Sequence, residues 1–92
     1  MNPDRAKALV SSYVDVLYKE CLEIDAPVRQ SVGTPLSVGH LAWMCEEMLR
    51  HLAAKDTDWG KFNRWLGWVQ CGMYANLIRE LDQLRDDVRG CL

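Results

Sequence analysis

No two cysteines of this chain form a Cys-x-x-Cys pair: Cys21, Cys45, Cys71 and Cys91 lie far apart along its 92 residues. That spacing excludes zinc-ribbon and thioredoxin-like sites, which need two sulfurs on one tight turn. A glycine-rich phosphate loop is missing too, since Gly33, Gly39, Gly60, Gly67 and Gly72 stand too far apart to cradle a phosphate. Positive charge is not in excess: 11 Lys and Arg against 13 Asp and Glu leave a formal net charge of −2. That balance argues against a nucleic-acid binder working by phosphate neutralisation. No apolar stretch approaches the ~20 residues that span a bilayer. The opening Met-Asn-Pro-Asp-Arg has no apolar h-region. The expected setting is a reducing cytoplasm, with the cysteines acting as small buried hydrophobes. No serine, histidine or cysteine stands in a nucleophile motif, so the chain reads as a non-enzyme with neither cofactor nor metal.

What is present is an ordinary globular composition, 49% hydrophobic and 26% charged, in a chain long enough for one domain. The patterning predicts an all-α fold without strands: a small bundle of three to four helices with a long C-terminal helix or helical hairpin. Asn2, Pro3 and Asp4 are favourable start residues for a first helix over 3–23. Its apolar stripe is Ala6, Val10, Tyr13, Leu17, Cys21 and Ile24. Pro27, Gly33 and Pro35 mark residues 25–36 as the one long linker, which either crosses between helix ends or carries a contact surface. Ser37 is a capable cap for a second helix over 38–54, with the seam Val38, Leu41, Cys45, Met48 and Leu52.

Asp56, Thr57 and Asp58 offer caps for a third helix near Trp59, and its end is the open question. The stripe Leu66, Val69, Met73, Leu77, Leu81, Leu84, Val88 runs on without a phase break. It predicts one helix of about 30 residues, roughly 45 Å long. If the segment divides into helices over 59–76 and 77–89, Asn76 is the expected left-handed residue. Gly90 closes the last helix.

The densest feature is the run from Trp59 to Ala75, apolar on nearly every side when wound as a helix. A central core helix explains most of it. Gly67, Cys71 and Ala75 form a small-residue row suited to close approach by another helix. Four tryptophans exceed what so small a core hides, so at least one belongs at an interface. Trp43, off the second helix's seam, is the favoured one; Trp, Tyr and Arg are common binding hot spots. A homo-oligomer is expected on the same grounds.

Two polar groupings complete the list. His40, Met44, Glu47 and His51 share one side of the second helix, but Glu-x-x-x-His on a solvated face reads as a polar pair before a metal site. Arg50, His51, Lys55, Lys61 and Arg64 could hold an anion near the third helix's start. Asp56 and Asp58 in the same turn oppose that use.

The stretch Asn63-Arg-Trp-Leu-Gly-Trp-Val-Gln70, the later Glu80-Leu-Asp-Gln-Leu-Arg-Asp86 and the earlier Pro35-Leu-Ser-Val-Gly-His-Leu-Ala-Trp-Met-Cys-Glu-Glu-Met48 resemble a loose family of small tailed-bacteriophage proteins. The resemblance covers about the last 58 residues and transfers no activity. Cys71-Gly72 stands where those proteins tend to have Gly and an apolar residue. Leu77 replaces their helix-ending Gly, which favours a continuous helix here. The resemblance implies a phage accessory protein acting in the cytoplasm of an infected bacterium. The expected function is a non-enzymatic counter-defence or takeover factor that binds and inhibits or redirects a host protein. Candidate contact residues are Trp43, Trp59, Lys61, Arg64 and Trp68. Alternatives are an oligomeric sponge for a nucleotide signal, or a structural or assembly component.

Overall fold

In the computed structural model, which describes residues 1–92, three of the four helices begin where a side chain satisfies a free backbone amide. Asn2 accepts a hydrogen bond from the Arg5 N–H at 3.1 Å, and α1 runs Pro3–Glu23. Ser37 precedes α2, Val38–Leu52, but its hydroxyl turns to the Ser31 hydroxyl at 3.4 Å instead of capping. Asp58 accepts from the Lys61 N–H at 3.0 Å and starts α3, Trp59–Ala75. Gln83 reaches back to accept from the Glu80 N–H at 2.9 Å, the return half of a capping box, and α4 follows as Leu81–Arg89. The fold is a small all-α bundle of four helices.

The unbroken stripe from Leu66 to Val88 does not make one helix. α3 ends in a Schellman motif: the Ile78 N–H donates to the Met73 carbonyl at 2.8 Å, and the Leu77 N–H to the Tyr74 carbonyl at 3.1 Å. The left-handed residue is Leu77, at φ 60°, and not Asn76. Asn76 instead donates its side-chain amide to the Leu36 and Gly72 carbonyls, both at 2.8 Å. Length explains the break. A ~45 Å rod would outrun a bundle whose longest extent is 34 Å, leaving its last turns without partners. After the turn, Leu84 is buried against the core and α4 starts at Leu81 rather than at residue 77. α2 likewise stops at Leu52, short of Ala54, and Ile24 is exposed past the end of α1.

The central helix is α2, not α3. α2 packs on both α1 and α3, and Val38, Gly39, Leu41, Ala42, Met44, Cys45 and Met48 are all buried. At about 100° per residue they cover an arc of roughly 220°. The buried positions of α3 are Phe62, Leu66, Val69, Gly72 and Met73, an arc of only about 120°. The row Gly67, Cys71, Ala75 is exposed, so it is not where helices approach. Close approach occurs one position on, at Gly72, where a Cβ would lie 2.5 Å from a Leu41 methyl. A second such contact is Gly39, whose Cβ would meet the Pro27 carbonyl oxygen at 2.0 Å.

That contact seats the linker on the bundle, and three side chains hold it there. The His40 ring accepts from the Ser31 N–H at 3.1 Å. The Trp68 indole donates to the Pro35 carbonyl at 3.1 Å, and Asn76 reaches the Leu36 carbonyl. The long loop is thus laid along α2 and α3.

Candidate functional site

One face of the bundle, shared by α2 and α3, collects rings and cations. His40 and Trp43 sit three residues apart on α2, and their rings stack at 5.6 Å between centroids, 20° from parallel. Trp43 meets Trp65 of α3 at 6.2 Å. The Lys61 ammonium stands 5.5 Å from the Trp65 ring centroid, within cation–π range. Trp65 joins Trp68, Arg64, Met44, His40 and Pro35 around a shallow cleft of about 320 Å³. A neighbouring cleft of about 300 Å³ is lined by Trp65, Phe62, Lys61, His51, Arg50 and Glu47, among others. None of the four tryptophans is fully buried, and Trp68 is 43% exposed.

The electrostatics of this face are lopsided. Arg50 pairs with Glu47 within α2, whereas Lys61 and Arg64 take part in no salt bridge. Burial lowers the His40 pKa, and its Nδ1 accepts from Ser31, so the ring is neutral at pH 7. At the start of α3, the hydrogen bond from the Lys61 N–H holds the Asp58 carboxyl below its ordinary range. The His51 Nε2 accepts from the Asp58 N–H at 3.2 Å. The helix terminus that an anion would need is therefore already occupied, and cationic attraction is left to Lys61 and Arg64 one turn further on.

Of the expected contact residues, Trp43, Lys61, Arg64 and Trp68 are gathered around this face. Trp59 is not: it packs edge-on against Phe62 at 5.3 Å and lies partly buried against the core. Trp68 combines exposure with a structural duty through its bond to Pro35. Trp65 and His40 were not among the expected contacts, yet Trp65 is the ring that joins the group. The signal was available in the spacing, His40 to Trp43 at i,i+3 and Lys61 to Trp65 at i,i+4, which place each pair on one helix face. His40, Glu47 and His51 go to different partners (Ser31, Arg50 and Asp58) rather than converging. No group of three or more metal-ligating side chains is assembled. No helix is long and apolar enough to cross a membrane.

No protein-family model, curated protein or solved structure matches the chain.

Proposed function

We propose that this chain is a non-enzymatic phage accessory protein whose α2–α3 face binds an acidic, partly apolar surface of a host protein and inhibits or redirects it, as a counter-defence factor would. One observation carries the reading: Lys61 and Arg64 take part in no salt bridge and stand beside partly buried Trp65 and half-exposed Trp68. Flat aromatic area flanked by unpaired cations matches the anchors of protein interfaces. The phage setting rests on the resemblance of residues 35–92 and is independent of the face. The test is a pull-down from host lysate with the wild type and with Lys61→Glu/Arg64→Glu. A partner captured by the wild type and lost in the variant supports the reading. Capture of nothing above background by the wild type sinks it.

A nucleotide sponge is the second reading, favoured by the same combination of rings for stacking and cations for phosphate. Against it, clefts of about 300 and 320 Å³ sit at the small end for ligand sites. A second copy would have to close over a nucleotide held there. Thermal shift against a cyclic-nucleotide panel separates the two: stabilisation by several degrees with one ligand favours sequestration. The third reading, a virion or assembly component, fails if mass spectrometry of purified particles does not find the chain.

A further inference from the structure

The opposite flank of α3 carries a second surface. Between α3 and α4 runs an open groove of about 670 Å³ whose floor includes Gly67, Cys71, Tyr74, Leu81 and Val88. Tyr74 and Leu81 are 53% and 48% exposed, so both leave part of their apolar surface in water. This is the uncovered half of the run that reads as apolar on nearly every side.

The ridge of α4 beside the groove states what covers it. Asp82, Arg85, Asp86 and Arg89 alternate in sign along the helix, with side chains 91%, 61%, 73% and 75% exposed. Within the chain they form only loose i,i+3 pairs, at 3.7 Å for Arg85–Asp82 and 3.6 Å for Arg89–Asp86. The order −, +, −, + becomes +, −, +, − when reversed. An antiparallel second copy of α4, related by a two-fold axis between Arg85 and Asp86, therefore sets Asp82 against Arg89 and Arg85 against Asp86, twice over. A parallel copy sets like on like. A self-complementary patch of this kind is what a two-fold interface requires.

We propose that the α3–α4 face pairs with the same face of a second copy, α4 antiparallel to α4, with the apolar edge of each seated on the groove of the other. α3 is about 25 Å long and the nine-residue α4 about 13 Å, each about 10 Å across, so the face covers about 390 Å² before side-chain relief. That lies below the ~600 Å² per copy of standard stable interfaces, which makes the pairing reversible and concentration-dependent. The pairing uses the flank of α3 away from α2 and leaves the α2–α3 face of both copies open.

Light scattering or sedimentation equilibrium tests this with two charge variants, Arg85→Glu/Arg89→Glu and Asp82→Lys/Asp86→Lys. All four side chains are exposed, and circular dichroism confirms that each variant keeps its helices. The wild type is expected at the mass of two chains, or an even multiple. Each variant alone is expected at half the wild-type mass or less, and an equimolar mixture of the two should restore it. A monomeric wild type overturns the proposal. So does association that persists in either variant alone, or a mixture that fails to recover it.

Discussion

The Tyr13 hydroxyl donates to the Asp87 carboxylate at 2.5 Å, joining the first helix to the last. Gln70 of α3 donates to the same hydroxyl at 3.2 Å and to the Leu84 carbonyl at 3.1 Å. Three helices thus meet at one phenol, which is itself buried. α4 is otherwise held by buried Leu84 and by the bond from the Asn2 N–H to the Cys91 carbonyl at 2.7 Å.

Tyr13→Phe removes that junction while keeping the ring's packing. A lost hydrogen bond to a charged group costs about 1.5–3 kcal/mol, so the melting temperature should fall by roughly 6 °C or more. Urea denaturation of the wild type, Tyr13→Phe and Asp87→Asn measures it. A loss below about 0.5 kcal/mol would show that the bond does not hold α4 in place.

Alkaline stability follows from raised pKa values, above all those of Tyr13 and Cys45. Burial and then the bond to Asp87 hold the Tyr13 phenol above its ordinary range, and burial pushes the Cys45 thiol up to about 12. Both groups keep their protons in the folded chain after the unfolded chain has lost them. Their contribution is complete below the unfolded values, about 8.5 for the thiol and about 10 for the phenol. It is lost as pH rises through the folded ones. Stability should decline from about pH 8.5 upward, more steeply beyond about pH 10, and the steeper part should shrink in Tyr13→Phe, leaving the share of Tyr18, whose phenol is raised by its bond to Glu46.

Leu77→Gly should stabilise the protein. Leu77 is 93% exposed and holds φ 60°, so its side chain contributes little packing and strains the backbone. The strain is about 1–2 kcal/mol. Glycine's extra unfolded-state entropy returns about 0.5–1 kcal/mol of that. A net gain of roughly 0.5–1 kcal/mol is expected, visible as a rise of a few degrees in melting temperature.

Two glycines of α3 should respond to alanine with opposite signs. Gly72→Ala drives a Cβ to 2.5 Å from Leu41, and such overpacking costs about 1–3 kcal/mol. Gly67→Ala meets nothing within 4 Å and should gain up to about 1 kcal/mol from helix propensity. Equal effects at the two sites would contradict the α2–α3 crossing described above.

Thiol titration of the Arg85→Glu/Arg89→Glu variant, in which the α3–α4 groove is uncovered, should find one fast-reacting cysteine. Cys71 is exposed, while Cys21, Cys45 and Cys91 are buried. Denaturant should release the other three, and Cys71→Ser should abolish the fast phase.

Much of this architecture is legible in the residues. Helix starts at Asn2 and Asp58 follow from local capping chemistry, and the α1 stripe through Cys21 is buried as its spacing requires. These features depend on neighbours within one turn, which the sequence lists directly. The site was half legible. Lys61, Arg64 and Trp43 stand out by residue type, but Trp65 becomes their meeting point only when α3 lies against α2. Trp59 has the same chemistry as its fellows, and only its packing on Phe62 removes it from the face.

By itself, the sequence determined an all-α chain, its caps at Asn2 and Asp58, its linker and a segment of α3 with more apolar surface than a single partner covers. Only the tertiary structure decided that α2 is the centre, that Leu77 breaks the last stripe, and that the exposed small residues face away from the core. The reason is physical. Periodicity specifies which residues share a side of a helix, but whether that side meets protein or water depends on how far the helix reaches and what lies across from it. A continuous stripe can overrun the bundle, and a left-handed leucine just past the C-cap is tolerated because it returns Leu84 to the core and Asp87 to Tyr13.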